Sequence, residues 1–253
     1  MQLLVSVTSA TEAVAALAGE ADFVDAKDPL AGALGAVSEQ VLREIREAVA
    51  GRRPVTAALG DATTEGAVEQ MSRRFVAAGA RFVKVGFAGI NSGPRVAALI
   101  EAAVCGAKSA DGEAGVIAVA YADGELSASV PPAALIQLSM RAGAAGILLD
   151  TANKGGPGLR GLMSEGVLAN WVSEVHRADL LAALAGRLTV EDIAFVLDAG
   201  ADIVGVRGAA CDGGRTGRVV MEKVSLLRAT IERSTPAVQR VGPRVDRPER
   251  SRA

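Results

Sequence analysis

Short apolar segments alternate with amphipathic segments along almost the whole chain, and this alternation is the feature that most restricts the fold. In residues 37–50, for example, Val41, Ile45 and Val49 recur at four-residue spacing, which is typical of one face of a helix. Strands that alternate with helices indicate a parallel sheet, and eight is the number of parallel strands that closes a barrel. The predicted strands are residues 3–7, 22–26, 55–59, 82–86, 116–121, 146–150, 181–184 and 202–206.

A repeated motif supports closure into a barrel. Gly19, Gly79, Gly143 and Gly200 each lie in an alanine-rich turn between a predicted helix and a predicted strand, with two strand–helix units between successive copies. Glycine commonly ends a helix because it adopts the left-handed conformation without strain. We therefore predict an α/β fold, a single (β/α)8 TIM barrel over residues 1–235. A doubly wound sheet is the alternative, because its loops between helices and strands also resemble one another in sequence.

Two helix starts carry the sequence of a capping box. In that motif a hydroxyl side chain and an acidic side chain three residues later bond to each other's backbone N–H groups. The two pairs are Ser9 with Glu12 and Thr189 with Asp192. Apolar residues follow both pairs, so we expect each pair to begin a helix.

The composition excludes several classes of function. The net charge is −2 and only 3% of residues are aromatic, so we expect no nucleic-acid partner. One histidine and two distant cysteines argue against a His-rich or thiolate metal site and suit a reducing cytoplasm. We see neither a signal peptide nor an apolar run of roughly 18 residues, and expect a cytoplasmic protein with no membrane partner. Residues 236–253 are rich in Arg and Pro and are expected to be a disordered tail.

The placement of the lysines is the most informative feature for function. Of 27 basic residues only five are lysines, yet Lys27, Lys84 and Lys154 fall in or just beyond predicted strands 2, 4 and 6. Barrel enzymes place their catalytic groups at these carboxyl ends. Arginine stays charged, whereas a lysine amine can lose its proton and attack a carbonyl to form a Schiff base. The pattern predicts amine chemistry, with neighbouring cations lowering the pKa of the attacking amine.

Two aspartates accompany these lysines. Asp25 and Asp150 end apolar strands, where a carboxylate can orient a lysine or move protons. Lys84 lies inside a strand that should be buried on both faces. An unpaired charge there is costly, so we expect Lys84 to pair with either Asp25 or Asp150.

Glycine-containing loops predict an anionic substrate. They follow strands 6, 7 and 8, and barrels often bind phosphate after the last two strands through backbone N–H groups. The residues expected to bind phosphate are Gly155, Gly156, Gly186, Arg207 and Gly208. The residues alone thus predict amine chemistry on a phosphorylated carbonyl compound.

Five segments together resemble the (5-formylfuran-3-yl)methyl phosphate synthase family, whose product is the furan precursor of methanofuran. The resemblance runs at barrel spacing from the first strand to about residue 225, and the tail lies outside it. The segments are Val24-Asp25-Ala26-Lys27-Asp28-Pro29, Val83-Lys84-Val85-Gly86, Ala120-Tyr121-Ala122-Asp123, Leu149-Asp150-Thr151-Ala152 with Lys154, and residues 202–211.

The resemblance implies a TIM barrel that condenses two triose phosphates, starting from glyceraldehyde 3-phosphate, with loss of phosphate and water. Such an enzyme is a carbon–oxygen lyase acting on phosphates. By the same resemblance Lys27 forms the Schiff base and Lys154 moves protons, while Asp25, Lys84 and Asp150 complete the active site. Neither a metal nor an organic cofactor is implied, and the expected partner is a small-molecule triose phosphate. Whether the chain forms a homo-oligomer is left open.

Two other functions fit the same residues. A class I aldolase would use a Schiff-base lysine on another phosphorylated carbonyl substrate and would form no furan. A non-catalytic barrel that binds a phosphometabolite is the alternative from a different class. It leaves the lysines unexplained, because arginine suffices for phosphate binding.

Overall fold

The eight predicted strands close into a barrel. The computed structural model describes residues 1–234, apart from the side chains of residues 125 and 126, so the tail predicted at 236–253 lies outside the described residues. Each strand pairs in parallel with the next, and the eighth pairs with the first, which confirms the TIM barrel. The strands are β1 (Gln2–Val7), β2 (Phe23–Ala26), β3 (Val55–Asp61), β4 (Phe82–Gly86), β5 (Gly115–Tyr121), β6 (Gly146–Asp150), β7 (Leu181–Leu184) and β8 (Ile203–Val206).

Helices cover the outside of the barrel and return the chain from each strand to the next. Two further short helices, Gly124–Ser127 and Leu159–Leu162, lie in the loops after β5 and β6. In the described part of the chain, no helix has the length and apolar character needed to span a membrane. The helices are α1 (Ala10–Ala18), α2 (Glu39–Val49), α3 (Glu65–Ala77), α4 (Gly93–Ala110), α5 (Gly124–Ser127), α6 (Pro132–Arg141), α7 (Leu159–Leu162), α8 (Glu165–Arg177), α9 (Ile193–Asp198) and α10 (Met221–Ser234).

Two hydrophobic clusters stabilise the barrel. Side chains alternate along each strand, so one set packs beneath the helices, as Leu3, Val5 and Val7 of β1 do. The other set fills the inside of the barrel, where Leu34 also enters from the loop after β2. Burial on both faces explains why the strands read as nearly continuous apolar segments in the sequence.

The repeated glycine motif has its expected role in three of the four copies. Gly79, Gly143 and Gly200 have φ angles of 104°, 76° and 84°, the left-handed conformation that follows a helix end. The first copy differs, because Gly19 has φ −85° and the following Glu20 takes a positive φ of 65°. Glycine is needed at position 19 for another reason: a Cβ there would lie 2.5 Å from a side-chain carbon of α10.

The loop after β8 forms a short hairpin, which sequence reasoning did not predict. Its strands are β9 (Cys211–Asp212) and β10 (Arg218–Val219), and they pair antiparallel. Gly213 and Gly214 turn the chain between them with φ angles of 81° and 74°. Strands of two residues are too short to show any periodicity in the sequence.

A buried ion pair fastens this hairpin to the barrel. The Arg207 guanidinium donates to both carboxylate oxygens of Glu12, at 2.9 and 3.3 Å, and each side chain is 7% exposed. The same guanidinium donates to the carbonyl oxygens of Ser6, Arg215 and Gly217. Glu12 and Arg207 are 195 positions apart in the chain, and their contact joins the hairpin to β1 and α1.

The capping box predicted at Ser9 and Glu12 is only half correct. The Ser9 hydroxyl accepts from the backbone N–H of Glu12 as expected. The Glu12 carboxylate, however, accepts from the backbone N–H of Thr8 and from Arg207. Burial favours a raised pKa for Glu12, but the hydrogen bonds from Arg207 and Thr8 outweigh it and the pKa is lowered. The second predicted box is present and begins the 3-10 turn Val190–Asp192.

We predict that Glu12→Gln lowers the free energy of unfolding by about 3 kcal/mol or more, because it leaves the buried Arg207 charge without a counter-ion. The matched control is Glu69→Gln, which removes the acid of a more exposed ion pair with Arg73 on α3. That change should cost less than about 1 kcal/mol. Urea unfolding measures both losses, and similar values for the two variants would contradict the structural role of the buried pair.

Candidate active site

A cavity of about 330 Å³ opens at the carboxyl ends of the barrel strands. Four of the five predicted catalytic residues line it, namely Lys27, Lys84, Lys154 and Asp150. The fifth, Asp25, contacts Lys84 and has no exposed surface. The barrel therefore brings all five residues together, as expected for side chains at the ends of parallel strands.

Lys84 and Asp25 form a buried ion pair. Lys84 Nζ lies 2.5 Å from Asp25 Oδ2, and the two side chains are 5% and 0% exposed. Asp25 also accepts from the hydroxyl groups of Ser6, at 2.8 Å, and Thr56, at 2.6 Å. Burial favours a raised pKa for Asp25, but the charges of Lys84 and Lys27 reverse the effect and lower it. Of the two aspartates that the sequence left open, Asp25 is therefore the partner of Lys84.

Asp150 contacts two amines at once. Its Oδ1 accepts from Lys154 Nζ at 2.5 Å and from the backbone N–H of Thr151 at 2.7 Å, while its Oδ2 lies 3.8 Å from Lys27 Nζ. Burial favours a raised pKa for Asp150, but Lys154 and Lys27 outweigh burial and lower it. Asp150 is thus an ionised carboxylate whose closer contact is with Lys154.

Lys27 is the amine of this group without a close carboxylate. Burial lowers the pKa of Lys27 from 10.5 to about 8, and the positive charges of Lys154 and Lys84 act in the same direction against the opposing effect of Asp150 and Asp25. About a tenth of such an amine is neutral at pH 7. The neutral amine is the form that attacks a carbonyl group, so Lys27 is the member of the group best suited to be a nucleophile.

Asp123, in the loop just after β5, holds the loop that carries Lys154. Its two carboxylate oxygens accept from the backbone N–H groups of Ala152, at 2.7 Å, and Asn153, at 2.8 Å. Lys154 also donates to the Thr151 hydroxyl at 3.3 Å. Support of this kind fixes the direction of a functional side chain. Sequence reasoning did not assign Asp123 to the site; its position at a strand end was the available signal.

The wall of the cavity below the amines is apolar. It is formed by inward side chains nearer the amino ends of the strands, which include Phe23, Phe82, Ile117, Leu148 and Ile203. An apolar wall limits hydration of the charged amines and strengthens the electrostatic interactions among them. The wall therefore accounts for the effect of burial on the pKa of Lys27.

The glycines predicted to bind phosphate divide into two pairs. Gly186 and Gly208 line the cavity, and their backbone N–H groups have no acceptor among the described residues. The N–H groups of Gly155 and Gly156 donate to side-chain and backbone oxygens of Asn153. The expectation of free N–H groups fails for this second pair, because both groups donate hydrogen bonds within the turn after β6.

Arg207 lines the cavity, but its guanidinium is bound to protein groups. It contacts the Glu12 carboxylate and three backbone carbonyl groups, so the predicted phosphate contact is not available through this side chain. Two arginines that sequence reasoning missed, Arg187 and Arg215, also line the cavity. Each follows a glycine in the loop after β7 or β8, which was the signal present in the sequence.

The site combines one partly neutral amine with two lysine–aspartate pairs that can take up and return protons. Among the side chains that the structure describes, no three from His, Cys, Asp or Glu cluster in the way that metal ligands do. Asp150, which lines the cavity, and Asp25, which is buried behind Lys84, both contact lysines. This arrangement is suited to Schiff-base formation and proton transfer.

The fold of this chain is similar to that of other barrel enzymes with solved structures. The structure of 3-hexulose-6-phosphate synthase superposes with a TM-score of 0.62 at 21% sequence identity, covering 91% of this chain and 100% of that one. At this level of identity the likeness concerns the fold alone.

Sequence comparison is more specific. A protein of Kitasatospora aureofaciens is 39% identical over 92% of this chain and 95% of its own length. A relative from Methanosarcina barkeri, named (5-formylfuran-3-yl)methyl phosphate synthase, is 35% identical over 90% of this chain and 98% of its own length. The family model described as 4-HFC-P synthase matches residues 3–228. The chain therefore belongs to the 4-HFC-P synthase family.

Proposed function

We propose that the protein makes (5-formylfuran-3-yl)methyl phosphate by condensing two triose phosphates, supplied as glyceraldehyde 3-phosphate, through a Schiff base on Lys27. The name of the Methanosarcina barkeri relative supports furan phosphate synthesis. The observation that carries the mechanism is that Lys27 is left without a close carboxylate while Lys84 and Lys154 each have one at 2.5 Å. The reaction would serve the biosynthesis of a methanofuran-type cofactor.

The overall reaction balances without an oxidant or a reductant. Two triose phosphates contain the atoms of the furan phosphate, one inorganic phosphate and two waters. The chain must therefore supply a nucleophile and proton transfers, and the residues at the cavity provide both.

Schiff-base formation follows from the arrangement of charges. The neutral amine of Lys27 attacks the carbonyl carbon of the first triose phosphate, and the carbonyl oxygen takes up protons and leaves as water. The product is a protonated imine. Asp150 Oδ2, at 3.8 Å from Lys27 Nζ, offsets the positive charge of that imine.

Proton transfer by Lys154 and Asp150 then allows the carbon–carbon bond to form. The protonated imine makes a neighbouring C–H acidic, and the Lys154–Asp150 pair, with its atoms 2.5 Å apart, can accept that proton and return it later. The resulting enamine attacks the carbonyl group of the second triose phosphate. A hydroxyl oxygen then attacks the imine carbon, which closes the ring and displaces the Lys27 amine, and elimination of phosphate and of a second water completes the furan.

A class I aldolase is the second candidate, because Lys27, the amine without a close carboxylate, would also serve its Schiff base. An aldolase would form the lysine adduct and give retro-aldol products without a furan chromophore. A barrel that only binds phosphometabolites would form neither an adduct nor a product.

We predict that Lys27→Arg reduces furan formation from glyceraldehyde 3-phosphate by about 1,000-fold or more, because arginine keeps the charge but cannot become a neutral nucleophile. The matched control is Lys108→Arg, an exposed lysine on α4, which should retain normal rates. Ultraviolet absorbance of the product measures both. Unfolding midpoints of the two variants check that the fold is kept.

Two outcomes of this experiment would overturn parts of the proposal. Near-normal furan formation by the Lys27→Arg variant would exclude Lys27 as the nucleophile. A lysine adduct with no furan from the unaltered chain would favour the aldolase, and the absence of both would favour the binding protein.

The lowered pKa of Lys27 gives a second prediction. The amine is protonated below its pKa of about 8 and neutral above it, so the nucleophile becomes available as the pH rises from 7 to 9. In protein labelled with carbon-13 at the lysine side-chain termini, one of the five lysine signals should titrate near pH 8 and disappear in Lys27→Arg. Lys154→Met should move that midpoint to higher pH, because it removes a neighbouring cation. If no lysine signal titrates below about pH 9, the proposal that burial lowers the pKa of Lys27 is wrong.

A further inference from the structure

Two arginines at the cavity differ from the other cations there. Among the described residues, six cationic side chains line the cavity, and four of them lie within 4.0 Å of a carboxylate. Arg187 and Arg215 have no carboxylate at that distance among the described residues. Three carboxylates serve the other four cations, so the cavity carries a surplus of positive charge, which favours an anionic ligand. The four paired cations are Lys27, Lys84, Lys154 and Arg207.

Arg215 lies at the tip of the hairpin after β8. Its two terminal nitrogens donate to the carbonyl oxygens of Pro29, at 2.5 Å, and Gly32, at 2.7 Å, in the loop after β2. A guanidinium has five N–H donors, so three of those on Arg215 are available to a ligand. The backbone of Arg215 is itself held, because Arg207 Nε donates to its carbonyl oxygen at 2.8 Å. The hairpin thus presents a half-buried, fixed guanidinium to the cavity.

Arg187 has the corresponding position in the loop after β7. It takes the left-handed conformation with φ 58°, which is uncommon for a residue other than glycine. Its guanidinium donates to the carbonyl oxygen of Gly156 in the loop after β6. The remaining N–H donors of Arg187 have no acceptor among the described residues.

Both arginines bind the backbone two residues beyond a lysine of the amine group. Pro29 follows Lys27 by two positions, and Gly156 follows Lys154 by two positions. Each guanidinium therefore contacts the loop that carries one of these two amines. The cavity therefore contains two combinations of an amine and a guanidinium. One lies between the loops after β2 and β8, and the other lies between the loops after β6 and β7.

We propose that Arg215 and Arg187 form two separate phosphate subsites, with Arg215 beside Lys27 and Arg187 beside Lys154, each binding the phosphate of one triose phosphate. The inference rests on the proposed function, since a condensation of two triose phosphates must hold two such groups. Guanidinium groups bind phosphate through paired N–H donors. Phosphates held on different sides would direct both carbonyl groups toward the amines, which orients the reacting carbons.

Glycerol 3-phosphate is the probe, because it carries the phosphate group of the substrate but has no carbonyl and cannot form a Schiff base. Calorimetric titration of the full chain should detect two bound molecules. Arg187→Gln and Arg215→Gln should each weaken one subsite by about 10- to 100-fold, and the double variant should lose both. The matched control is Arg141→Gln, an exposed residue at the end of α6, which should still bind two molecules.

A kinetic measurement separates phosphate binding from a structural role of the two loops. It compares the rate of borohydride-trapped adduct formation on Lys27 with glyceraldehyde 3-phosphate and with unphosphorylated glyceraldehyde. Arg215→Gln should slow the first reaction by about 10- to 100-fold and leave the second within about twofold. Arg215→Lys keeps one positive charge and should recover part of the preference for the phosphorylated substrate. Equal slowing of both reactions would mean that the loops are damaged, and would overturn the inference.

The binding and product assays distinguish failure of this inference from failure of the proposed function. Two bound molecules that are lost one at a time in the arginine variants support the two subsites even if no furan forms. A single bound molecule in the unaltered chain, or unchanged binding in both Gln variants, overturns the inference whatever the product is.

Discussion

Three lysine amines share two carboxylates in a cavity with apolar walls, and the chemistry of the site depends on this mismatch. Two of the amines, Lys84 and Lys154, each take one carboxylate at 2.5 Å. Lys27 is left 3.8 Å from an oxygen of Asp150, whose closer contact is already made. A buried charge without a close partner is costly, so the group shifts its pKa toward the neutral form. The neutral form is the nucleophile that carbonyl chemistry requires.

The rest of the fold keeps these charges in their unequal positions. Closure of the barrel brings the ends of β2, β4 and β6 to one cavity, although their lysines are far apart in the chain. Asp123 fixes the loop that carries Lys154, and the buried pair of Glu12 and Arg207 fixes the hairpin above the cavity. These rigid elements prevent the three amines from rearranging to share the two carboxylates evenly. Lys27 therefore stays without a close carboxylate.

Much of the fold and the centre of the site could be predicted from the sequence, because both depend on local patterns. The periodicity of strands and helices predicted the barrel, and the lysines at strand ends predicted the group of amines at the cavity. Contacts across the barrel could not be predicted. Asp25 and Asp150 end strands that lie two positions from β4 on either side, so the sequence does not reveal which of them pairs with Lys84. Glu12 meets Arg207 only after β8 closes against β1, which is why a phosphate contact was expected for that arginine.

The most direct test of the account is to locate the lysine that borohydride reduction labels when the unaltered chain is incubated with glyceraldehyde 3-phosphate. Mass spectrometry of the peptides distinguishes all five lysines, because they lie far apart in the sequence. We expect a reduced adduct on Lys27 and none on the other four lysines. An adduct on Lys84 or Lys154 in place of Lys27, or no adduct at all, would contradict the claim that the amine without a close carboxylate is the nucleophile.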